Sequence, residues 1–403
     1  MNKIYQTGLA LSLGLLAFSS CSSWTEVETK DIETPAIIDQ LRQRDMKKWA
    51  EERDLQKKED ESTKAYNEKV QRMYDAYWNG IRDYKKSDHA ITYGWFGGWS
   101  ATEGLPQSFF SNLPDSVDMV SIWGGTAAFD ENSSKAKDLK YAQETKGLKA
   151  VLCWQVSDIG LGLPGGKEAI INKVKSLSEA EKKTRYAGYG VEKPTEEEMQ
   201  VIEYALTLTE FIEKHNLDGF DIDYEPNVGD HNHSKTYAFA NNAKMYSNMK
   251  LFIEVLSRKY GPKSGRAGKI LMIDGELRTM ATNFPEMGDR FDWFIEQAYR
   301  EKHDYQLSGR YNQLTGITGF KAEKYIIADE FERNGGWTIG GEGSSESDVK
   351  NGTTVSEEKA RWKPAGAVRK GGWAAYHIEL ETPANFKYVR RAIQIMNPAK
   401  YRP

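Results

Sequence analysis

Cysteine is nearly absent: the 403 residues hold two, Cys21 and Cys153. Cys21 falls at the end of a leader, which leaves one thiol and excludes an intrachain disulfide framework. Long apolar runs are lacking too. The run from about Gly8 to Phe18 is too short to cross a bilayer. Neither sign of charge is in excess, with 55 Lys plus Arg against 59 Asp plus Glu and a net charge of -4. Bulk charge therefore predicts no nucleic-acid partner. No Gly-rich phosphate turn follows the first strand-like run. The stretch Gly165–Lys175 lacks the earlier Gly and the Ser or Thr that a phosphate loop needs after its Lys. No internal repeat is visible.

What is present begins with a targeting segment. Lys3, the apolar run and the small residues before Cys21 form a secretory signal. A cysteine directly after Phe18-Ser19-Ser20 resembles a bacterial lipoprotein cleavage site, which implies that Cys21 is acylated and becomes the first mature residue. The alternative is an ordinary secretory signal. The polar, acidic stretch that follows resembles export signals of surface lipoproteins in Bacteroidetes. Residues 1–21 are thus expected as signal and lipobox, and 22–35 as a tether. The expected location is the outer membrane, at the cell surface, with the periplasm as the alternative. The lipid is the expected membrane contact.

Residues 36–88 are rich in helix formers. Tyr66, Val70, Met73, Tyr77, Ile81 and Tyr84 recur at spacings of three and four, one stripe of a helix. The stripe is expected to pack on the next domain, and the charges to face solvent. A partner-binding helix is the alternative.

From about His89 the pattern changes to short β-rich runs near 90–96, 117–123, 148–156, 219–225, 269–274, 291–299, 324–331 and 371–378. Helical segments include 167–180, 196–215 and 235–260. Continuous apolar strands with helices between them argue for a parallel sheet. Eight such units predict a (β/α)8 TIM barrel over 89–403, with 36–88 as an N-terminal helical extension. An open doubly wound sheet is the alternative.

The fourth run is unusual. Asp218-Gly219-Phe220-Asp221-Ile222-Asp223-Tyr224-Glu225 crowds four acids into eight residues. Side chains of a strand alternate between faces, so Asp221, Asp223 and Glu225 share one face and Phe220, Ile222 and Tyr224 the other. In a barrel the acidic face points inward and climbs to the C-terminal end, where barrel enzymes hold their sites. Repulsion and burial push at least one of these carboxyl groups up in pKa. An acid kept protonated near neutral pH can give a proton to a leaving group. A calcium loop is excluded by Pro226 at its sixth position and by the apolar residues between the acids.

These residues resemble the DGxDxDxE signature of glycoside hydrolase family 18. The resemblance covers about 89–400 and implies retaining hydrolysis in which the substrate's own 2-acetamido oxygen attacks the anomeric carbon. It implies Glu225 as general acid and then base. Asp223 would orient the acetamido group and stabilise an oxazolinium intermediate, with Asp221 as its electrostatic support. Asp218 is read as structural. On the sixth run, Gln297 and Tyr299 would bind the acetamido group, with Tyr299 donating its hydroxyl. Trp373 on the eighth would floor the sugar subsite. Trp95 and Trp123 lie in candidate substrate loops.

Two departures bear on substrate. Where chitinases of the family carry Ser-x-Gly-Gly, this chain has Cys153-Trp154-Gln155-Val156; where they carry Met-x-Tyr-Asp, it has Gln297-Ala298-Tyr299-Arg300. About forty residues separate the last two strands, too few for an inserted α+β domain. This compactness resembles the endo-β-N-acetylglucosaminidases, which cleave between the two core GlcNAc residues of N-linked glycans. The expected substrate is therefore an N-glycan, with complex type favoured, and a monomeric enzyme is expected. The alternatives are a chitinase-like hydrolase and a glycan-binding lipoprotein that does not cleave. The loops 95–105, 123–134, 225–237 and 332–345 would read the glycan antennae. His231-Asn232-His233 is read as a solvated loop, and no metal or cofactor is expected.

Overall fold

The structure, a computed structural model, describes residue 48 and residues 63–123, 129–227, 238–239 and 243–398. Cys21, the tether, all but Lys48 of 36–62, the His231–His233 triplet and parts of two candidate glycan loops lie outside the described residues.

Eight parallel strands close into a barrel in chain order: β1 (Ile91–Gly97), β2 (Met119–Trp123), β3 (Lys149–Gln155), β4 (Gly219–Tyr224), β5 (Ile270–Gly275), β6 (Trp293–Glu296), β7 (Tyr325–Glu330) and β8 (Gly372–Tyr376). Closure is made by β1 pairing with β8, from Ile91 opposite Gly372 to Trp95 opposite Tyr376. All eight expected strands exist. The sixth is shorter than expected because the chain turns after Glu296: the Ala298 amide donates to the Glu296 carbonyl at 2.9 Å, and Arg300 has φ of +63°.

Around the barrel run α1 (Thr63–Lys86), α2 (Ser134–Lys140), α3 (Gly166–Ser176), α4 (Glu196–Lys214), α5 (Ala243–Ser257), α6 (Leu277–Asn283), α7 (Asp304–Asn312), α8 (Val355–Arg361) and α9 (Lys387–Met396), with further short helices, among them Glu179–Arg185, between them. The expected helix over 167–180 ends at Ser176, because Ser178 starts another as the cap of a capping box with Glu181. Thr195 and Glu198 form the same box at the start of α4. None of the described helices is long and apolar enough to cross a membrane.

Strand alternation produces two cores. The outward set, including Phe220, Ile222, Tyr224 and Trp373, packs against the helices. Each such buried side chain contributes about 1.5–3 kcal/mol relative to exposure. The inward set, including Tyr93, Trp95, Met119, Cys153, Met272, Ile295 and Ala374, fills the barrel. The barrel is thus a packed plug whose upper layer holds the polar groups.

The C-terminal part of α1 is fastened beneath the barrel. Arg82 donates to the carbonyls of Glu144 and Thr145 at 3.3 and 2.7 Å, and the Tyr77 hydroxyl to Asp115 at 2.6 Å. Val70, Met73, Ile81 and Tyr84 of the expected stripe are half-buried.

Candidate active site

β4 is set in place from its first residue. Asp218 accepts from the Lys149 ammonium at 2.7 Å, the Gln143 amide at 2.9 Å and the Ala150 backbone amide at 2.9 Å. It sits at the N-terminal entry of the strand, far from the acidic end, in a structural role. Gly219 is required by the next contact, since a Cβ there would stand 1.9 Å from the Ile270 carbonyl oxygen. That close approach of β4 to β5 puts Asp221 opposite Met272 and Asp223 opposite Asp274.

The inward acids form a buried stack. Asp221 and Asp274 are fully buried and Asp223 is 3 % exposed. The Tyr93 hydroxyl donates to Asp221 at 2.7 Å. The Cys153 thiol lies 3.6 Å from Asp274. Gln297 donates to Asp274 at 2.8 Å and reaches Asp223 at 3.5 Å. Asp274 is also within hydrogen-bonding reach of Asp221 and Asp223.

These carboxyl groups cannot all ionise. Burial pushes Asp221 up to about 6, against the donor bonds of Tyr93 and its neighbours. Burial, with Glu225 and Asp221 close by, drives Asp223 well above the carboxylate range. Burial, Asp223 and Asp221 do the same to Asp274. Protons are shared within the stack, and the groups titrate as a set. A protonated Asp274 donating to Asp221 while accepting from Gln297 satisfies all three. Cys153, Asp221 and Asp274 bring donor atoms within 4.8 Å of one another. A metal there would need all three deprotonated, whereas burial raises each of them.

Glu225 follows at the strand end, half-buried at the mouth. The Gln155 amide donates to its Oε2 at 3.1 Å. The chain beyond is held by Glu276, which accepts from the Asn227 backbone and side-chain amides at 2.9 and 2.8 Å. Gly275, with φ of +97°, leaves room beside Glu225: a Cβ there would lie 3.1 Å from the Glu225 Cγ.

Across the mouth stand Tyr299, Tyr376 and Trp123. Burial, with Asp274 and Asp223 nearby, keeps the Tyr299 phenol neutral well beyond its ordinary pKa. The Trp123 indole donates to the Tyr376 hydroxyl at 2.9 Å, and the two rings meet edge to face at 5.6 Å. Tyr299 and Tyr376 have ring centroids 6.4 Å apart.

A family model for glycoside hydrolase family 18, BT1044-like, matches residues 56–395. The chain belongs to glycoside hydrolase family 18. A solved glutamate-to-glutamine variant of BT1044 is 31 % identical, with a TM-score of 0.63, over 82 % of this chain and 95 % of that one. An endo-β-N-acetylglucosaminidase from Cordyceps militaris, in apo form, shares the fold at 23 % identity and a TM-score of 0.56, over 80 % of this chain and 96 % of that one. A double variant of the Cordyceps militaris enzyme, its changed Asp and Glu two residues apart, was solved with fucosyl-N-acetylglucosamine-Asn. It aligns at 22 % identity with a TM-score of 0.54, over 80 % of this chain and 95 % of that one. No curated protein matches the chain.

Within this family-18 barrel the structure brings Asp221, Asp223, Glu225, Gln297 and Tyr299 together at one mouth. Trp373 is a correction. It points outward, fully buried, donating to Asp329 at 3.3 Å and packing on Phe331. β8 turns its odd positions to the helices, and Tyr376 takes the place expected for Trp373 at the mouth. Trp95 points inward but is 1 % exposed, wedged beneath Tyr376, so it supports the rim rather than offering a sugar face. In the loop 95–105, Trp99 is stacked on Phe110 and bonded to Asp138. Sequence reasoning missed Asp274, Gln155, Tyr93 and Tyr376. For Asp274 a signal existed: an acid closing an otherwise apolar strand, Ile270-Leu271-Met272-Ile273-Asp274.

Proposed function

We propose that this chain is an endo-β-N-acetylglucosaminidase that cleaves the GlcNAc-β1,4-GlcNAc core of N-linked glycans with retention. One observation carries the reading. Asp223 lies two residues before Glu225, buried and driven well above the carboxylate range by burial and by Glu225 itself. A protonated, buried carboxyl group is a poor nucleophile toward the anomeric carbon. The nucleophile is then the substrate's 2-acetamido oxygen, and the protein supplies a proton shuttle and a clamp.

Glu225, oriented by Gln155, gives its proton to the leaving oxygen as the acetamido oxygen closes on the anomeric carbon. Asp223 meets the acetamido N–H and balances the positive charge of the oxazolinium ring, its own proton retreating into the Asp221–Asp274 stack. Tyr299 donates to the acetamido oxygen from the other side. Glu225 then takes a proton from the water that opens the ring.

Preference for N-glycans over chitin is supported by Gln155 and Gln297 at positions where chitinases differ, and by the Cordyceps militaris protein that holds fucosyl-N-acetylglucosamine-Asn. Complex-type glycans are the favoured class. A monomer anchored at the outer membrane through Cys21 completes the proposal.

The test is mass spectrometry of products from high-mannose and complex glycoproteins, beside chitin oligomers. Glycans ending in one GlcNAc, with one GlcNAc left on the protein, are expected. Cleavage of chitin oligomers alone would overturn the substrate; binding without cleavage of anything would overturn the enzyme reading.

A further inference from the structure

Tyr299 sits in a turn that its own residues do not favour. The Glu301 amide donates to the Ala298 carbonyl at 3.2 Å and closes the turn Ala298-Tyr299-Arg300-Glu301. Arg300 takes the third position with φ of +63°. A turn that needs positive φ there ordinarily holds Gly or Asn, because a larger side chain crowds the backbone in that region. The turn sets the backbone from which the Tyr299 ring projects. Something outside it must therefore hold Arg300 in place.

The segment after β7 does so. Arg300 Nη2 donates to Glu342 Oε1 at 2.6 Å, and Asn334 Nδ2 donates to the same oxygen at 2.7 Å. The Glu342 amide in turn donates at 2.9 Å to the carbonyl of Glu330, the last residue of β7. The acceptor is thus tied to the barrel itself. Beside it, Gly343 lets the two segments touch: a Cβ there would stand 3.2 Å from the Arg300 Cα. Backbone and guanidinium of Arg300 are both seated on residues 342 and 343.

The convergence is uncommon within the chain. Among the described residues, seven other than glycine have positive φ, and two of them, Arg300 and Asn334, meet at one carboxylate oxygen. Backbone strain of this kind persists only where the surroundings over-determine it, and it gathers at functional sites. An ion pair with both partners exposed would contribute little. Here the Arg300 side chain is 60 % exposed but that of Glu342 only 4 %. The hydrogen bond from Arg300 holds the Glu342 carboxyl below the ordinary carboxylate range, so the contact is charge-assisted at neutral pH.

We propose that Glu342 is a positioning residue for hydrolysis: by holding Arg300 in the left-handed region, it fixes the turn that aims the Tyr299 hydroxyl at the substrate's acetamido oxygen. This role rests on the reading of Tyr299 as that donor. Glu342 itself touches no substrate. Without the latch Arg300 relaxes toward negative φ, the peptide group between Tyr299 and Arg300 rotates, and the ring tilts. A misaimed hydroxyl costs alignment of the attacking oxygen, so the loss falls on kcat more than on KM.

Steady-state kinetics of glycan release by the full chain, beside melting curves, test this. Glu342→Ala should lower kcat about tenfold and leave KM within about threefold of the parent. Glycine adopts positive φ without a latch, so Glu342→Ala combined with Arg300→Gly should regain kcat to within about threefold of the parent. In a Tyr299→Phe background, Glu342→Ala should cost no more than about twofold further, since the group it aims is gone. Should Glu342→Ala not fold, Glu342→Gln repeats each comparison with a kcat loss of about threefold, because it loses the charge and keeps an acceptor. Losses that multiply in the double variant, or a loss that Arg300→Gly does not recover, overturn the positioning role. So does a parental kcat in Glu342→Ala beside an impaired Tyr299→Phe. Parental turnover by Tyr299→Phe overturns instead the reading of Tyr299, and the role of Glu342 with it.

Discussion

The Gln297 amide ties two strands of the barrel mouth together, donating to Asp274 at 2.8 Å and standing 3.5 Å from Asp223. It therefore sees Asp274 as an acceptor, while Asp221 needs Asp274 as a donor. Only a protonated Asp274 does both. Asn at 274 would imitate that state, with its carbonyl toward Gln297 and its amide toward Asp221; Ala would not.

Asp274→Asn is accordingly expected to keep turnover within a few-fold, and Asp274→Ala to lose about 10–100-fold, for two abandoned buried polar groups. The pH dependence separates the two states further. Burial holds the folded pKa of Asp274 above its unfolded value of 3.8. The folded chain thus keeps a proton that the unfolded chain has released, and this group's contribution to stability falls as pH rises above about 4. Asn removes that slope. Thermal melts should show Asp274→Asn level with the parent near pH 4 and more stable at pH 8, by on the order of 1–3 kcal/mol. A variant less stable at pH 8 would mean that Asp274 is ionised in the native barrel.

Glu225→Gln removes the transferable proton and keeps the size of the side chain. Turnover should fall by about 10²–10⁴-fold, while glycan binding by calorimetry is retained. Its melting temperature should change little, since Glu225 is half-buried at the strand end. Near-native turnover would move the acid role to another residue.

Tyr299→Phe removes one hydroxyl from the far wall. The phenol stays neutral because burial and the carboxyl groups of Asp274 and Asp223 oppose its ionisation. It remains a donor across the working pH range. The loss should be about 10²–10³-fold in kcat, the scale of one missing oxyanion donor, with the pH profile unshifted. A lost alkaline limb in Tyr299→Phe would show that the tyrosine titrates in the parent, against this account.

The barrel was legible because period-two alternation and apolar continuity are local properties. Phe220, Ile222 and Tyr224 declare the outer face of β4, and the intervening acids declare the inner one. What stayed hidden depends on register between strands. Asp274 gains its meaning from lying opposite Asp223, and that pairing rests on the approach that Gly219 permits. Gln155 and Tyr93 likewise matter through partners 70 and 128 residues away.

Trp373 and Tyr376 show how parity decides function on one strand. Three residues apart, they face opposite sides of β8: Trp373 lies in the outer core against Phe331, and Tyr376 at the mouth against Trp123. Trp373 also donates to Asp329, whose other oxygen is paired with the fully buried Lys359 at 2.9 Å. Trp373→Phe loses that bond and part of the packing, so it should cost about 1–3 kcal/mol of stability and leave KM unchanged. Tyr376→Leu removes a ring from the rim and should raise KM about tenfold, the scale of one lost stacking or hydrogen-bond contact, with a small change in melting temperature. Melting curves and steady-state kinetics on the two variants measure both quantities. The opposite pattern, with KM following residue 373 and stability residue 376, would require β8 to be turned by one residue, and Gly372 opposes that: a Cβ there would stand 2.1 Å from the Ile91 carbonyl oxygen.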